Sequence, residues 1–78
     1  MKPLLILEEA EAELWDAVEF YESKLDGLGL DFESEVSSAF KKIIAAPHVW
    51  PIQKDKSRKF VLARFPYTIH YYETSDYI

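Results

Sequence analysis

The residues best equipped for chemistry are a basic group near the end of the chain, Arg58, Lys59 and Arg64. Guanidinium and ammonium groups at this density suit contact with a partner's carboxylates or with a phosphate-bearing target. The plainer alternative is a solvated strand edge, where exposed ion pairs contribute little. Arg64 lies next to apolar strand residues, and arginine beside an apolar patch is a frequent interface anchor. His48 and His70 titrate near neutrality and could bind metal or move protons. They have neither ligand spacing nor a supporting cysteine, so they read as surface or structural residues. Ser34, Ser37, Ser38, Ser57 and Ser75 make no nucleophile motif with either histidine. Tyr67, Tyr71 and Tyr72 could stack on bases, but the positive surroundings of a base-stacking surface are missing, and packing is the better reading. Trp15 and Trp50 read as packing anchors between helix and loop. The residues therefore indicate no catalytic centre, no metal site and no cofactor.

The elements that must position these groups fit one small domain. The chain has 78 residues, 49% hydrophobic and 15% aromatic, with no cysteine. That is too apolar for a disordered chain, and its limited core has no disulfide to brace it. The net charge of −5 opposes general nucleic-acid binding, which draws much of its affinity from basic residues. The apolar run Leu4 to Leu7 is too short for a membrane span or a signal core. No targeting signal is visible, and the lack of cysteine fits the cytoplasm.

Leu4–Leu7 predicts a strand. Ala10, Leu14, Ala17, Val18, Tyr21 and Leu25 fall at steps of three and four and predict a helix over about Glu8 to Lys24. The early glutamates Glu8, Glu9, Glu11 and Glu13 complement its dipole. Asp26-Gly27-Leu28-Gly29 breaks the helix, with glycine supplying positive φ. Phe32, Val36, Ala39, Phe40, Ile43 and Ile44 predict a second helix over about Leu30 to Ala45, stopped by Pro47. Arg58 to Phe65 and Thr68 to Glu73 predict two strands around Pro66-Tyr67. Tyr77-Ile78 resembles the opening of one more. The expected fold is α+β, in the order β-α-α-β-β with a final β cut short. An antiparallel αα-hairpin packs on one face of a small, mainly antiparallel sheet.

The strands carry large apolar groups on both faces. If Val61, Ala63, Ile69 and Tyr71 meet the helices, Phe60, Leu62 and Tyr72 stay uncovered. A patch of that kind marks a partner site, and covering each side chain contributes roughly 1.5–3 kcal/mol. The alternatives are that the loop around Trp50 folds over this face or that the chain dimerises through it. The expected partner-binding residues are Arg58, Phe60, Leu62, Arg64, His70 and Tyr72.

The run Arg58-Lys59-Phe60-Val61-Leu62-Ala63-Arg64-Phe65-Pro66-Tyr67-Thr68-Ile69-His70-Tyr71 resembles the ParE-type signature: arginine, an apolar strand, Arg-Phe-Pro-Tyr, then Ile-x-Tyr. Glu9 to Leu14 with Phe20-Tyr21-Glu22 is similar to the first helix of the RelE/ParE toxin superfamily. Gly27-Leu28-Gly29 with Phe32 and Val36 is similar to the start of the second, and Pro47-His48-Val49-Trp50-Pro51 to its Asn/His-Pro-x-x-Trp-Pro loop. The similarity spans nearly the whole chain and rests on the order and spacing of these segments together.

This resemblance implies a bacterial, cytoplasmic toxin of a type II toxin–antitoxin system, of the plasmid-stabilisation kind. A cognate antitoxin wraps the toxin's sheet and helices and neutralises it. ParE-like members are described as inhibitors of DNA gyrase and carry no established catalytic centre. RelE-like members cut messenger RNA in the ribosome, using basic residues on the central strands. Those places fall on Phe60, Leu62 and Thr68, none of which holds a proton or a phosphate charge for that step. The family also continues into a final central strand and a basic tail, so the resemblance implies that residues 1–78 are a C-terminally truncated domain. The ParE-like reading therefore leads. The alternatives are a RelE-like ribosome-dependent endoribonuclease and an inactive truncated homologue that dimerises through its open sheet edge. No membrane and no direct nucleic-acid contact are expected.

Overall fold

Apolar spacing and end charges place two helices where the sequence predicts them. The computed structural model describes residues 2–78. Helix α1 spans Glu8–Lys24, with Glu8, Glu9 and Glu11 in its first turn and Lys24 in its last. Helix α2 spans Leu28–Ala45. Its buried residues Gly29, Phe32, Val36, Ala39 and Ile43 recur at steps of three and four, which is one stripe of a 3.6-residue helix. No residue of α1 is fully buried. Leu14, Ala17, Val18 and Tyr21 are half-buried against the core, whereas Trp15 is 49% exposed and lies outside that cluster. The second helix is thus the spine of the molecule, and the first lies along its flank.

The junction between the helices is built from glycine and one carboxylate. Gly27 has φ 87°, in the left-handed region that favours glycine. A Cβ on Gly29 would lie 2.6 Å from the Val18 carbonyl oxygen, so the helices meet backbone to backbone here. The Glu22 carboxylate accepts from the N–H groups of Gly27 and Gly29, both at 3.0 Å. It thereby satisfies donors that the first turn of α2 leaves without intrahelical partners.

Strands β1 (Arg58–Val61) and β2 (Thr68–Tyr71) form an antiparallel pair, with Phe60 opposite Ile69 and Lys59 opposite His70. The protein is a small α+β fold with an αα-hairpin. Both strands are shorter than alternation alone predicts. After Val61 the chain closes a loop in which the Leu62 N–H donates to Tyr67 O at 3.0 Å and the Tyr67 N–H to Phe65 O at 2.8 Å.

The register reverses the expected choice of faces. Directly opposed residues of an antiparallel pair share a face, so Phe60 sides with Ile69, and Arg58 with Tyr71. Phe60, Leu62 and Tyr71 are 8%, 4% and 7% exposed and join the core with Phe32, Val36 and Ile43. The expectation that Phe60 and Leu62 lie uncovered is corrected. The outer face carries Lys59, Val61, Thr68 and His70, and of these Val61 is the large apolar residue left in solvent.

Leu4–Leu7 does not form a ladder strand. Its backbone is extended, with Leu7 at φ −64° and ψ 146°, and it makes one pairing step with the far end of the chain.

Candidate functional site

The two outer edges of the hairpin are finished differently. The bond from Leu62 N–H to Tyr67 O sets the alternation of the pair. Phe60–Ile69 and Arg58–Tyr71 exchange hydrogen bonds, while Val61–Thr68 and Lys59–His70 turn their N–H and C=O groups outward. On the β1 side these groups are met by the preceding loop. The Lys59 N–H donates to Pro51 O at 3.0 Å, the Gln53 N–H donates to Ser57 O at 2.7 Å, and Ile52 forms a bridge with Arg58. On the β2 side the outward groups of Thr68 and His70 have no hydrogen-bond partner among the described residues.

Beside that open edge the chain turns back on itself. The Thr74 N–H donates to Tyr77 O at 2.8 Å, and the Tyr77 N–H donates to Thr74 Oγ1 at 2.9 Å. The resulting turn through Ser75 and Asp76 brings Ile78 back along the end of β2. On its other side the Ile78 N–H donates to Pro3 O at 3.2 Å, and its carbonyl accepts from the Leu5 N–H at 3.1 Å. This two-bond pattern around Leu4 is one step of a parallel ladder. Ile78 is therefore flanked on both sides, and its side chain, 6% exposed, points into the core. The gap between β2 and the N-terminal segment is one strand wide at this point. Lys2 ties the same end, donating from Nζ to Glu73 Oε2 at 2.8 Å and to Thr74 O at 2.6 Å.

From Ile78 towards Leu7 and Thr68 the gap continues as an open groove of about 420 Å³. Its floor includes Val36, Phe40 and Ile43 of α2 and Leu14 of α1, and Leu4–Leu7 and β2 form its walls. Leu5 and Leu7 are 59% and 73% exposed, so this wall is apolar and wet.

The charges differ along the groove. At the closed end the hydrogen bond from Lys2 holds the Glu73 carboxyl below its ordinary range against a smaller opposing effect of desolvation, helped by the charges of Lys2, Arg58 and His48. At the open end Glu8, Glu9 and Glu11 follow Leu7, and Glu13 lines the groove. None of these four makes a salt bridge among the described residues. Burial, followed by the charges of Glu13 and Tyr21, pushes the Tyr67 hydroxyl up.

Of the six residues expected to bind a partner, two reach the groove rim. His70 and Tyr72 are exposed there, and the Tyr72 hydroxyl donates to Asp55 Oδ2 at 3.2 Å. The charge of Asp55, then that hydrogen bond, then desolvation hold the hydroxyl above its ordinary range. The other four are engaged within the chain. The Arg58 Nη1 donates to His48 O at 3.1 Å and to Trp50 O at 2.8 Å, pinning the loop that covers β1. Phe60 meets Trp50 edge to face at 4.6 Å, and Leu62 is buried. Arg64 donates its backbone N–H and its Nε to Glu35, both at 3.2 Å. The loop around Trp50 thus seals the β1 flank, one of the alternatives weighed from the sequence.

Sequence reasoning missed Leu5, Leu7, Thr68 and Ile78 as groove residues. The available signal was a pair of strand-like apolar stretches, Leu4–Leu7 and Tyr77-Ile78, at opposite ends of the chain. Chemically the groove offers backbone donors and acceptors over an apolar floor, which suits an extended polypeptide. Among the described residues no cluster of His, Asp or Glu could hold a metal, and no helix is long and apolar enough to cross a membrane. Comparison with family models, curated proteins and solved structures finds no match.

Proposed function

We propose that this protein is a ParE-like toxin of a type II toxin–antitoxin pair, bound and neutralised by an antitoxin along the outer edge of β2. The observation that carries the reading is the order and spacing of segments from Glu9 to Tyr71, and the outward backbone groups at Thr68 and His70 beside an apolar groove are consistent with it. An unpaired edge of this kind is a template for another chain's strand. The imidazole of His70 and the phenol ring of Tyr72 at the rim support the same reading. DNA gyrase is the proposed cellular target, and the cytoplasm the proposed compartment.

The ribonuclease alternative has no support in its expected positions. Phe60 and Leu62 are buried hydrocarbon, and Thr68 offers a hydroxyl where that chemistry needs a base or a cation.

Induced expression tests the proposal. The expected result is growth arrest with a DNA-damage response, relieved by co-expressing a cognate antitoxin. Codon-specific transcript cleavage would reject the gyrase reading, and growth unaffected at verified expression would reject the toxin reading.

A further inference from the structure

We infer that the outer face of the β-hairpin, with the turn at residues 53–57 beside it, docks an acidic segment of a partner polypeptide. This surface is separate from the outward edge of β2, and its occupancy does not depend on the toxin reading.

Charge is divided between two parts of the chain. From residue 8 to residue 35 the one lysine or arginine is Lys24, whereas from residue 48 to residue 72 the one carboxylate is Asp55. The helical layer is thus acidic and the hairpin basic, within a chain of net charge −5. Two of the hairpin's cations are already held. Arg58 donates to the carbonyls of His48 and Trp50, and Arg64 to Glu35. Lys54, Lys56 and Lys59 make no salt bridge among the described residues.

The fold brings these three lysines to one side of the sheet. The Gln53 N–H donates to Ser57 O at 2.7 Å and the Lys56 N–H to Gln53 O at 3.0 Å, which closes the turn that carries Lys54 and Lys56. Both lysines are exposed. Lys56 has φ 70°, in the left-handed region where glycine is cheaper, so a side chain is kept where the backbone disfavours one. Asp55 is occupied: its carboxylate accepts from the Ser57 N–H at 3.0 Å, the Ser57 hydroxyl at 2.6 Å and the Tyr72 hydroxyl at 3.2 Å. Lys59 lies directly opposite His70 on the outer face, and Lys54 and His70 line one shallow hollow. Val61 and Tyr72, 58% and 54% exposed, add apolar surface beside them.

Unpaired cations next to exposed apolar side chains complement carboxylates that flank an apolar residue. A nucleic acid fits less well. Its affinity grows with the number of phosphates neutralised along the strand, whereas this patch ends after three free lysines and the rest of the chain is acidic. A short acidic segment ends within the patch.

The probe is a synthetic peptide of six glutamates and aspartates around one phenylalanine, titrated into the intact protein at low salt and followed by amide chemical shifts. The expected result is a set of shifts confined to residues 53–61 and 68–72, with affinity falling as salt rises. The double variant K54Q/K56Q should bind about threefold to tenfold more weakly, the range for loss of two exposed charge pairs. K54R/K56R should retain binding. The control K41Q/K42Q makes the same change in net charge on α2 and should bind as the wild type does. Thermal unfolding of all three variants should match the wild type, because the substituted side chains are exposed. Equal weakening by K41Q/K42Q would reduce the effect to net charge and overturn the inference. Shifts spread over the helices, or none, would also overturn it. A single-stranded oligothymidylate binding this face more tightly than the peptide would replace the polypeptide with a nucleic acid. The same shifts on concentrating the protein alone would assign the face to a second copy.

Discussion

The β1 flank and the β2 flank of one hairpin are made from the same kind of strand and end up opposite in character. On the β1 side Arg58 holds the loop carbonyls of His48 and Trp50, Trp50 covers Phe60, and Pro51 accepts from Lys59. On the β2 side the backbone faces a groove whose far wall, Leu5 to Leu7, is apolar and exposed. A short loop that can fold back closes one edge, because its closure entropy is modest. At the other edge, within residues 2–78, Ile78 is the residue that returns beside the strand pair. Whether an edge is sealed therefore depends on what the described chain folds over it, more than on the strand's own residues.

Truncating the sealed flank tests this contrast most severely. Phe60→Ala should destabilise the protein by about 3–5 kcal/mol, as large-to-small core changes do. Leu5→Ala, on the open wall, should cost less than about 1 kcal/mol, as exposed substitutions do. Urea unfolding of both variants measures the gap, and similar losses would erase the distinction.

Proline substitution separates the edges themselves. Lys59→Pro removes the donor bonded to Pro51 O and should cost about 1–3 kcal/mol. His70→Pro removes an N–H with no partner among the described residues and should cost under about 1 kcal/mol. Exchange of the wild-type amides should agree, with Lys59 protected and both Thr68 and His70 fast. Equal protection at the three positions would count against the open edge.

The seal itself has one weak point. The Trp50 Nε1 is buried without a hydrogen-bond partner among the described residues. Trp50→Phe keeps a ring against Phe60 and removes that orphaned donor, so thermal unfolding should change by no more than about 1 kcal/mol. Loss as large as that of Phe60→Ala would show the indole to be more than a cover.

The smallest effect concerns the closed end of the groove. Glu73 has its carboxyl pKa depressed chiefly by the hydrogen bond from Lys2. A depressed folded-state pKa means that the stabilisation is present above the ordinary carboxylate pKa. It fades as pH falls through the lower folded value. Lys2→Met should raise the Glu73 pKa towards its ordinary range in an NMR titration and loosen the N-terminal segment. An unmoved titration would remove Lys2 as the clamp.

The helices were legible because their information is local. The spacing from Phe32 to Ile43 matches the buried stripe of α2, and the acidic start of α1 matches its dipole. The hairpin was legible too, though longer than the two strands that formed. Leu4–Leu7 was read as a strand and is extended, but its single step leaves it without a ladder partner along most of its length. The partner surface was the hardest part. Arg58, Phe60, Leu62 and Arg64 look available in the sequence and are engaged in the fold, whereas His70 and Tyr72 are at the rim. The choice between hairpin faces turned on whether Phe60 sides with Ile69 or against it. The count of residues around Pro66 leaves that open until pairing sets the register.

Residue spacing and charge order alone settled where the two helices lie, that glycine separates them, and that a strand pair follows. Which side of that pair is inward, and which of its edges stays open, was decided only when the chain packed. Alternation has a period of two and both sets of strand residues are apolar, so a one-residue change of register exchanges the faces. Contacts that form only on packing, the nearby Trp50 on Phe60 and the distant Ile78 on Leu5, break that tie.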